Sequence, residues 1–175
     1  MCVRRGVKIR ETRCKNYSLF VAVVSFAFTL STSFAASLPP RSQGETLYIP
    51  VYSQVLHGNV NWTKKAEEKP LSAMLSIRNT DPKLSIKVLS IKYFDTDGHF
   101  VRDYPAGVKE LGPLATVDVF IEHKDIEGGT GANFIVEWRA EQAVNAPIVE
   151  AVHTFFQGPS AMVFVSPAQA LQVGQ

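Results

Sequence analysis

Cysteine is scarce in this sequence of 175 residues, and the two cysteines, Cys2 and Cys14, both lie near its start. The rest of the chain therefore has no disulfide framework, no cysteine nucleophile and no zinc site with cysteine ligands. A lipid-modified cysteine after the apolar run described below is excluded for the same reason.

Motifs for covalent or metal-assisted catalysis are also missing. The sequence contains no G-x-S-x-G elbow, no S-x-x-K and no H-E-x-x-H. A hydrolase built from loop carboxylates would need two of them about 5–10 Å apart across a cleft, and no pattern here indicates such a pair. We therefore expect a protein that is not an enzyme, with no catalytic residue and no cofactor.

The first 35 residues have the order of an export signal: a cationic head, an apolar run and small residues. The head has six Lys or Arg residues, the run is Leu19–Leu30, and Ser33 and Ala35 follow it. The run is short beside the roughly 20 residues that span a bilayer, so we predict a signal peptide over residues 1–35, cleaved after Ala35. The alternative is a retained N-terminal anchor. Both place the remaining chain outside the cytoplasm, in the periplasm or cell envelope.

Beyond this leader the chain lacks an excess of positive charge. Residues 36–175 hold 12 basic and 15 acidic side chains, a net charge of −3. A nucleic-acid partner is not expected, because binding to phosphate backbones needs a basic surface. Contact with a membrane is expected only through the N-terminal segment, if it stays uncleaved.

A helical period is absent after the leader, and apolar residues alternate with polar ones instead. Eight strands are predicted, separated by turn residues: 45–54, 71–79, 86–95, 99–104, 115–122, 132–140, 148–156 and 161–165. This pattern predicts an all-β fold, an immunoglobulin-like antiparallel β-sandwich of about 7–8 strands. Residues 45–166 form the domain, after a tether at 36–44 and before a tail at 167–175.

Individual residues refine this expectation. Trp138 is predicted to face inward and anchor the core. Pro50 cannot donate to a ladder, so its strand is predicted to lie at an edge or to be interrupted there. Gly98 is expected to supply the positive φ of a tight hairpin turn.

With the strands laid out, the chain resembles a family of exported bacterial proteins known only as a domain of unknown function. The resemblance covers roughly residues 47–165, and several short stretches carry it. They are YIPVYS (48–53), LSIRNTD (75–81), YFDTDG (93–98), GPLA (112–115), GGTGANF (128–134) and PIVEA (147–151). The resemblance implies export and a compact domain, and it implies no activity and no site residue.

Two loops have the composition of ligand sites. Asp95-x-Asp97-Gly98 has the start of a calcium loop, but its glycine comes at the fourth position and a strand follows, which favours a hairpin turn. The glycines of the segment 128–131 lead into a strand rather than a helix and have no P-loop lysine, which favours a turn over a phosphate site.

The histidines raise a further alternative. His99 lies two residues from Asp97, and His123 two residues from Asp125. If the fold brings these two pairs together, they offer a zinc or copper site, or a small-ligand site, in an exported protein. No metal is expected under the first interpretation, in which these histidines are scattered on the surface.

Two aromatic residues indicate that the domain could bind another molecule. Tyr52 lies on the side of its strand opposite the apolar face, which is either exposed or the second face of a strand buried on both sides, and Trp62 lies in a polar loop. Exposed aromatic rings are suited to stacking on sugars or anchoring a protein. We therefore expect a non-enzymatic exported domain that binds an envelope protein or polymer, with Tyr52, Trp62, His99 and His123 as candidate binding residues.

Overall fold

The computed structural model describes residues 41–104 and 108–172, and these form twelve strands and no helix. The signal segment predicted over residues 1–35 lies outside the described residues. Within the described ranges, no helix is long and apolar enough to cross a bilayer. The strands are β1 (Ser42–Val51), β2 (Gln54–His57), β3 (Glu67–Pro70), β4 (Ser72–Arg78), β5 (Ile86–Phe94), β6 (Phe100–Asp103), β7 (Lys109–Leu111), β8 (Thr116–Ile121), β9 (Ala132–Val144), β10 (Ile148–Gln157), β11 (Ser160–Pro167) and β12 (Gln169–Ala170).

All strand pairs are antiparallel. One sheet of six strands has the order β12-β1-β9-β5-β6, with β7 also paired to β5. A second sheet of four strands has the order β11-β10-β4-β8, and β2 and β3 form a separate hairpin. The prediction of an all-β antiparallel fold is confirmed.

The core lies between the inner faces of the two large sheets, because alternate residues on each strand point inward. Ile49, Phe134 and Trp138 of the six-stranded sheet are fully buried, as are Leu75 and Ile77 of the four-stranded sheet. These residues belong to one continuous hydrophobic cluster. The arrangement is sandwich-like, and the inward position predicted for Trp138 is confirmed; the immunoglobulin-like topology stays a prediction.

The first predicted strand, 45–54, is divided in the structure. β1 ends at Val51, where the main chain leaves its ladder: the amide N–H of Tyr52 donates to His153 and that of Ser53 to the carbonyl of Gly129. β12 pairs with Leu47 and Tyr48 only, so no strand of the described chain needs a donor from Pro50. β1 therefore continues through Pro50, which lies opposite Asn133 of β9, and is interrupted only after Val51.

Four short strands, β2, β3, β7 and β12, were not expected as separate elements. β3 falls within the segment predicted to be a polar loop, since its residues, EEKP, show no alternation of apolar and polar side chains. They form a strand because they pair with β2. β12 takes Gln169 and Ala170, two residues of the predicted tail, into the six-stranded sheet. β1 begins at Ser42, inside the predicted tether, and β9 continues to Val144, which is buried.

Candidate functional site

A row of apolar residues crosses the outer face of the four-stranded sheet, the face turned away from the core. In register from one edge to the other, Val165 of β11 is opposite Val152 of β10, Val152 is opposite Met74 of β4, and Met74 is opposite Phe120 of β8. The four residues lie on four different strands, and the row results from strand register. We call this set the apolar row.

Much of the apolar row is accessible to water. The Phe120 side chain is 59% exposed and Val165 is 49% exposed, while Val152 and Met74 are partly buried by their neighbours. Val163 and Phe156, further along the same face, are 58% and 72% exposed. Contiguous exposed apolar surface on a folded domain makes this face a candidate for contact with another molecule.

Polar groups border the apolar row on one side. Glu150 of β10 lies opposite Ser76 of β4, which in turn lies opposite Asp118 of β8. Arg78 makes an ion pair with Glu150 at 3.5 Å. An apolar centre with a charged margin is the usual anatomy of a protein-binding surface.

Tyr52, a predicted binding residue, packs against other side chains beside the core. Its ring makes edge contacts with His153 at 5.5 Å and with Phe164 at 5.8 Å between ring centroids. It therefore has neighbours on the β10 and β11 strands, which reduces the ring area that a ligand can reach.

Trp62, the second aromatic candidate, is 94% exposed. It lies in a turn that Asn61 organises, because the Oδ1 of Asn61 accepts hydrogen bonds from the amides of Thr63 at 2.9 Å and Lys65 at 3.0 Å. The structure leaves the indole free for a contact, away from any strand that would fix its orientation.

His99 and His123 are not brought together. The possible ligand atoms of Asp95, Asp97 and His99 lie within 4.8 Å of one another, and His123 is not part of this group. The ring of His123 lies 6.3 Å from that of Phe155. The metal site that joins both histidines therefore does not form in the described structure.

The Asp95 carboxylate has a structural task of its own in the hairpin between β5 and β6. Its Oδ1 accepts hydrogen bonds from the amides of Asp97 at 2.9 Å and His99 at 2.8 Å. These bonds lower the pKa of Asp95, and the bond from His99 has the largest effect. Gly98 has φ +82°, as predicted for this turn. The geometry is that of a hairpin turn closed by an aspartate side chain.

His153 is a notable residue that the sequence reasoning did not single out. It is fully buried on β10, stacks on Phe164 at 4.4 Å and accepts the amide N–H of Tyr52 through Nε2 at 3.1 Å. Burial lowers the pKa of His153 to about 4, so the ring is neutral at neutral pH. Its position could have been predicted, since it continues the inward alternation of Val149 and Ala151.

Arg102 is the second residue that sequence reasoning missed. Its guanidinium donates to Asp125 at 2.9 Å and to Glu127, and it lies over the rings of Tyr93 and Tyr104 at 5.8 and 5.7 Å. Arg102, Tyr104, Asp125 and Glu127 line a cleft of about 620 Å³ together with Phe120. In this cleft both Asp125 and Glu127 are paired with Arg102. Only the fold reveals this cluster, because its residues are distant in sequence.

Comparison with known sequences gives the chain a family. Residues 44–171 match a family described as protein of unknown function, DUF3124. The chain belongs to the DUF3124 family. The match begins two residues into β1 and ends just after β12, so it includes all or part of every strand, and the resemblance to a domain of unknown function is confirmed.

The DUF3124 domain is also similar to one solved structure, that of Thermotoga maritima 1070. The two are 10% identical, the alignment covers 71% of this chain and 92% of that chain, and the TM-score is 0.42. No curated protein matches the DUF3124 chain.

Proposed function

We propose that this DUF3124 domain is a non-enzymatic binding domain that works outside the cytoplasm and holds a protein partner on the outer face of its four-stranded sheet. The observation that carries the proposal is the apolar row, which crosses all four strands and ends in the exposed ring of Phe120. The location rests on the export pattern of residues 1–35.

Burial of this surface supplies a driving force for association. Removal of apolar area from water contributes roughly 25 cal/mol per Å², and the cost of immobilising the two molecules is subtracted from this gain. Phe120 has the properties of an anchor, since a large aromatic ring on a flat sheet fits a pocket on a partner and contributes more than its neighbours.

The chemistry of the face favours a protein over a sugar polymer. A sugar needs polar groups next to an aromatic platform to bond its hydroxyls, whereas the centre of this face, Val165, Val152 and Met74, has only aliphatic or thioether side chains, and the polar groups lie at one margin. Apolar side chains of a second protein complement them directly.

A small-ligand or metal-binding domain is the second candidate, and the proximity of Asp95, Asp97 and His99 favours it. It ranks below the first because His123 is remote from these groups and because Asp95 already accepts two main-chain hydrogen bonds.

Replacement of the aromatic anchor tests the proposal. The exported protein, immobilised, is incubated with envelope extract from its own cells, and Phe120→Ser is compared with Phe100→Ser. Phe100 is 55% exposed but lies on β6 of the other sheet, so it is a matched control. We expect Phe120→Ser to weaken partner capture at least about tenfold, as for an interface anchor, and Phe100→Ser to leave it unchanged.

Three outcomes contradict the proposal. They are equal capture by the natural chain and by folded Phe120→Ser, equal loss with the Phe100→Ser control, and capture that survives protease treatment of the extract. The last of these outcomes indicates a polymer instead of a protein.

A further inference from the structure

The outer edge of β11 has unused main-chain hydrogen-bonding groups. The amide of Ala168 donates to the carbonyl of Val149 at 3.0 Å. With the register of β10 and β11, this bond shows which residues of β11 direct their main-chain groups towards β10. In an antiparallel ladder the N–H and C=O of alternate residues point to the same side. Those of Ala161, Val163 and Val165 therefore point away from β10.

No hydrogen bond from the described chain reaches these groups. β11 pairs with β10 alone, and the three residues are exposed. We call the outward main-chain groups of Ala161, Val163 and Val165 the free edge.

The edge strands β8, β6 and β12 are charged or very short, whereas β11 is long and has only a proline at its end, Pro167, to discourage pairing with another chain. β8, at the opposite edge of the same sheet, carries the charged residue Asp118. β6 carries the charged residues Arg102 and Asp103, and β12 is only two residues long. β11 is eight residues long, and its sequence SAMVFVSP has no charge. Natural proteins protect edge strands with charge, brevity or proline, so a long uncharged edge indicates a strand that is paired.

We propose that the free edge pairs with the free edge of a second copy of this chain, in antiparallel orientation, and that the two four-stranded sheets become one continuous sheet. A two-fold axis through Val163 places Val163 opposite its equivalent and Ala161 opposite Val165 of the second copy. Each of these residue pairs exchanges two hydrogen bonds, so every N–H and C=O of the free edge finds a partner. A two-fold contact of this kind closes at the dimer.

Two prolines select this register. Pro159 and Pro167 lie two residues outside the free edge on either side, and neither has an N–H to donate. A shift of the axis by one residue in either direction places one of these prolines opposite a free-edge residue and loses a hydrogen bond. The register centred on Val163 is the one that uses only residues with donors.

The charges and side chains of the strand also suit a second copy. Met162 lies opposite Phe164 of the second copy, so the contacts across the new pair are apolar on both faces. The nearest charged residue on the outer face of β10, Glu150, is already paired with Arg78. No like charges meet, and the identical strands complement each other.

Sedimentation equilibrium of the exported protein tests the dimer. We expect the natural chain at tens of micromolar to have twice the mass of one chain. Val163→Pro removes one outward N–H at the axis without touching the ladder to β10, and we expect a monomer. Val163→Ala is the matched control, because it shortens the same side chain and keeps the N–H; we expect it to stay a dimer.

A charge-pair experiment keeps the proposal testable if Val163→Pro does not fold. The axis places residue 163 opposite itself, so V163K alone and V163E alone put like charges together and should each be monomeric. An equal mixture of the two should restore a dimer. A monomeric natural chain, or a dimer that persists equally in V163K, V163E and Val163→Pro, overturns the proposal.

This dimer can be tested separately from the proposed partner binding, although Val165 belongs to both surfaces, with its main chain in the free edge and its side chain in the apolar row. It depends on main-chain groups of β11, whereas partner binding is tested at Phe120 on β8, the far edge of the sheet. A chain that dimerises but captures no partner, or the reverse, separates the two proposals.

Discussion

His153 joins the two large sheets through a single hydrogen bond. The residue lies on β10, and the amide it accepts, that of Tyr52, follows directly after β1 of the other sheet. The bond needs a neutral ring, because a protonated Nε2 cannot accept. Its other nitrogen, Nδ1, has no hydrogen-bond partner among the described residues, and the cost of burying a charged ring outweighs the stabilisation that the main chain of Phe164 would give it.

The stability of the domain should therefore fall as the pH falls from about 6.5 towards 4. In this window the unfolded chain binds a proton at His153, whose ordinary pKa is 6.5, and the folded chain, with a pKa of about 4, does not. From pH 7 to pH 5 we expect this residue to lower the free energy of unfolding by about 2 kcal/mol. Urea denaturation at both pH values measures the difference.

His153→Gln is the informative variant, because a glutamine oxygen can accept the same N–H but does not titrate. We expect it to lose this part of the pH dependence. His57→Gln, at an exposed position, should keep it. An unchanged pH slope in a folded His153→Gln would contradict the assignment.

At the scale of elements, the loop between β8 and β9 is held against the hairpin that follows β5. The carbonyl of Gly128 accepts hydrogen bonds from the amide and the hydroxyl of Thr96, at 3.0 and 2.9 Å. Gly128 itself is buried beside the hydroxyl of Tyr93, which is hydrogen-bonded to Ser53 at 2.7 Å. The close approach leaves no room for a side chain.

Gly128→Ala should consequently destabilise the domain by about 1–3 kcal/mol, the usual cost of overpacking. An added Cβ would lie 1.9 Å from the Tyr93 hydroxyl and 2.7 Å from the Cβ of Ala132. Gly112→Ala is the control, since a Cβ there meets nothing within 4 Å. Thermal unfolding of the two variants compares them, and equal melting temperatures would show that the loop adjusts without cost.

Elements with a buried face were predictable, and elements ordered only by a neighbour were not. Leu75 and Ile77 alternate with polar residues, so β4 is readable from sequence, as are the other long strands. β3 and β12 have no such pattern, and their partners β2 and β1 determine them. The apolar row was hidden for a related reason: Met74 and Phe120 are neighbours through the register of distant strands, which periodicity does not encode.

At the scale of the whole molecule, the predicted export signal would place the proposed binding outside the cytoplasm. We expect the exported protein to begin at Ala36, because the small residues Ser33 and Ala35 suit signal peptidase. N-terminal sequencing of protein isolated from the envelope checks this. A chain that begins at Cys2 or Val3 would show that the leader is kept as an anchor.

The two tryptophans of the chain stand in opposite surroundings. Trp138 is fully enclosed in the core, while Trp62 is almost fully in water. The intrinsic fluorescence of the protein is thus the sum of a blue-shifted and a red-shifted emitter, and dissolved quenchers reach only the second. One label-free signal can in this way report separately on the integrity of the interior and on events at the surface loop.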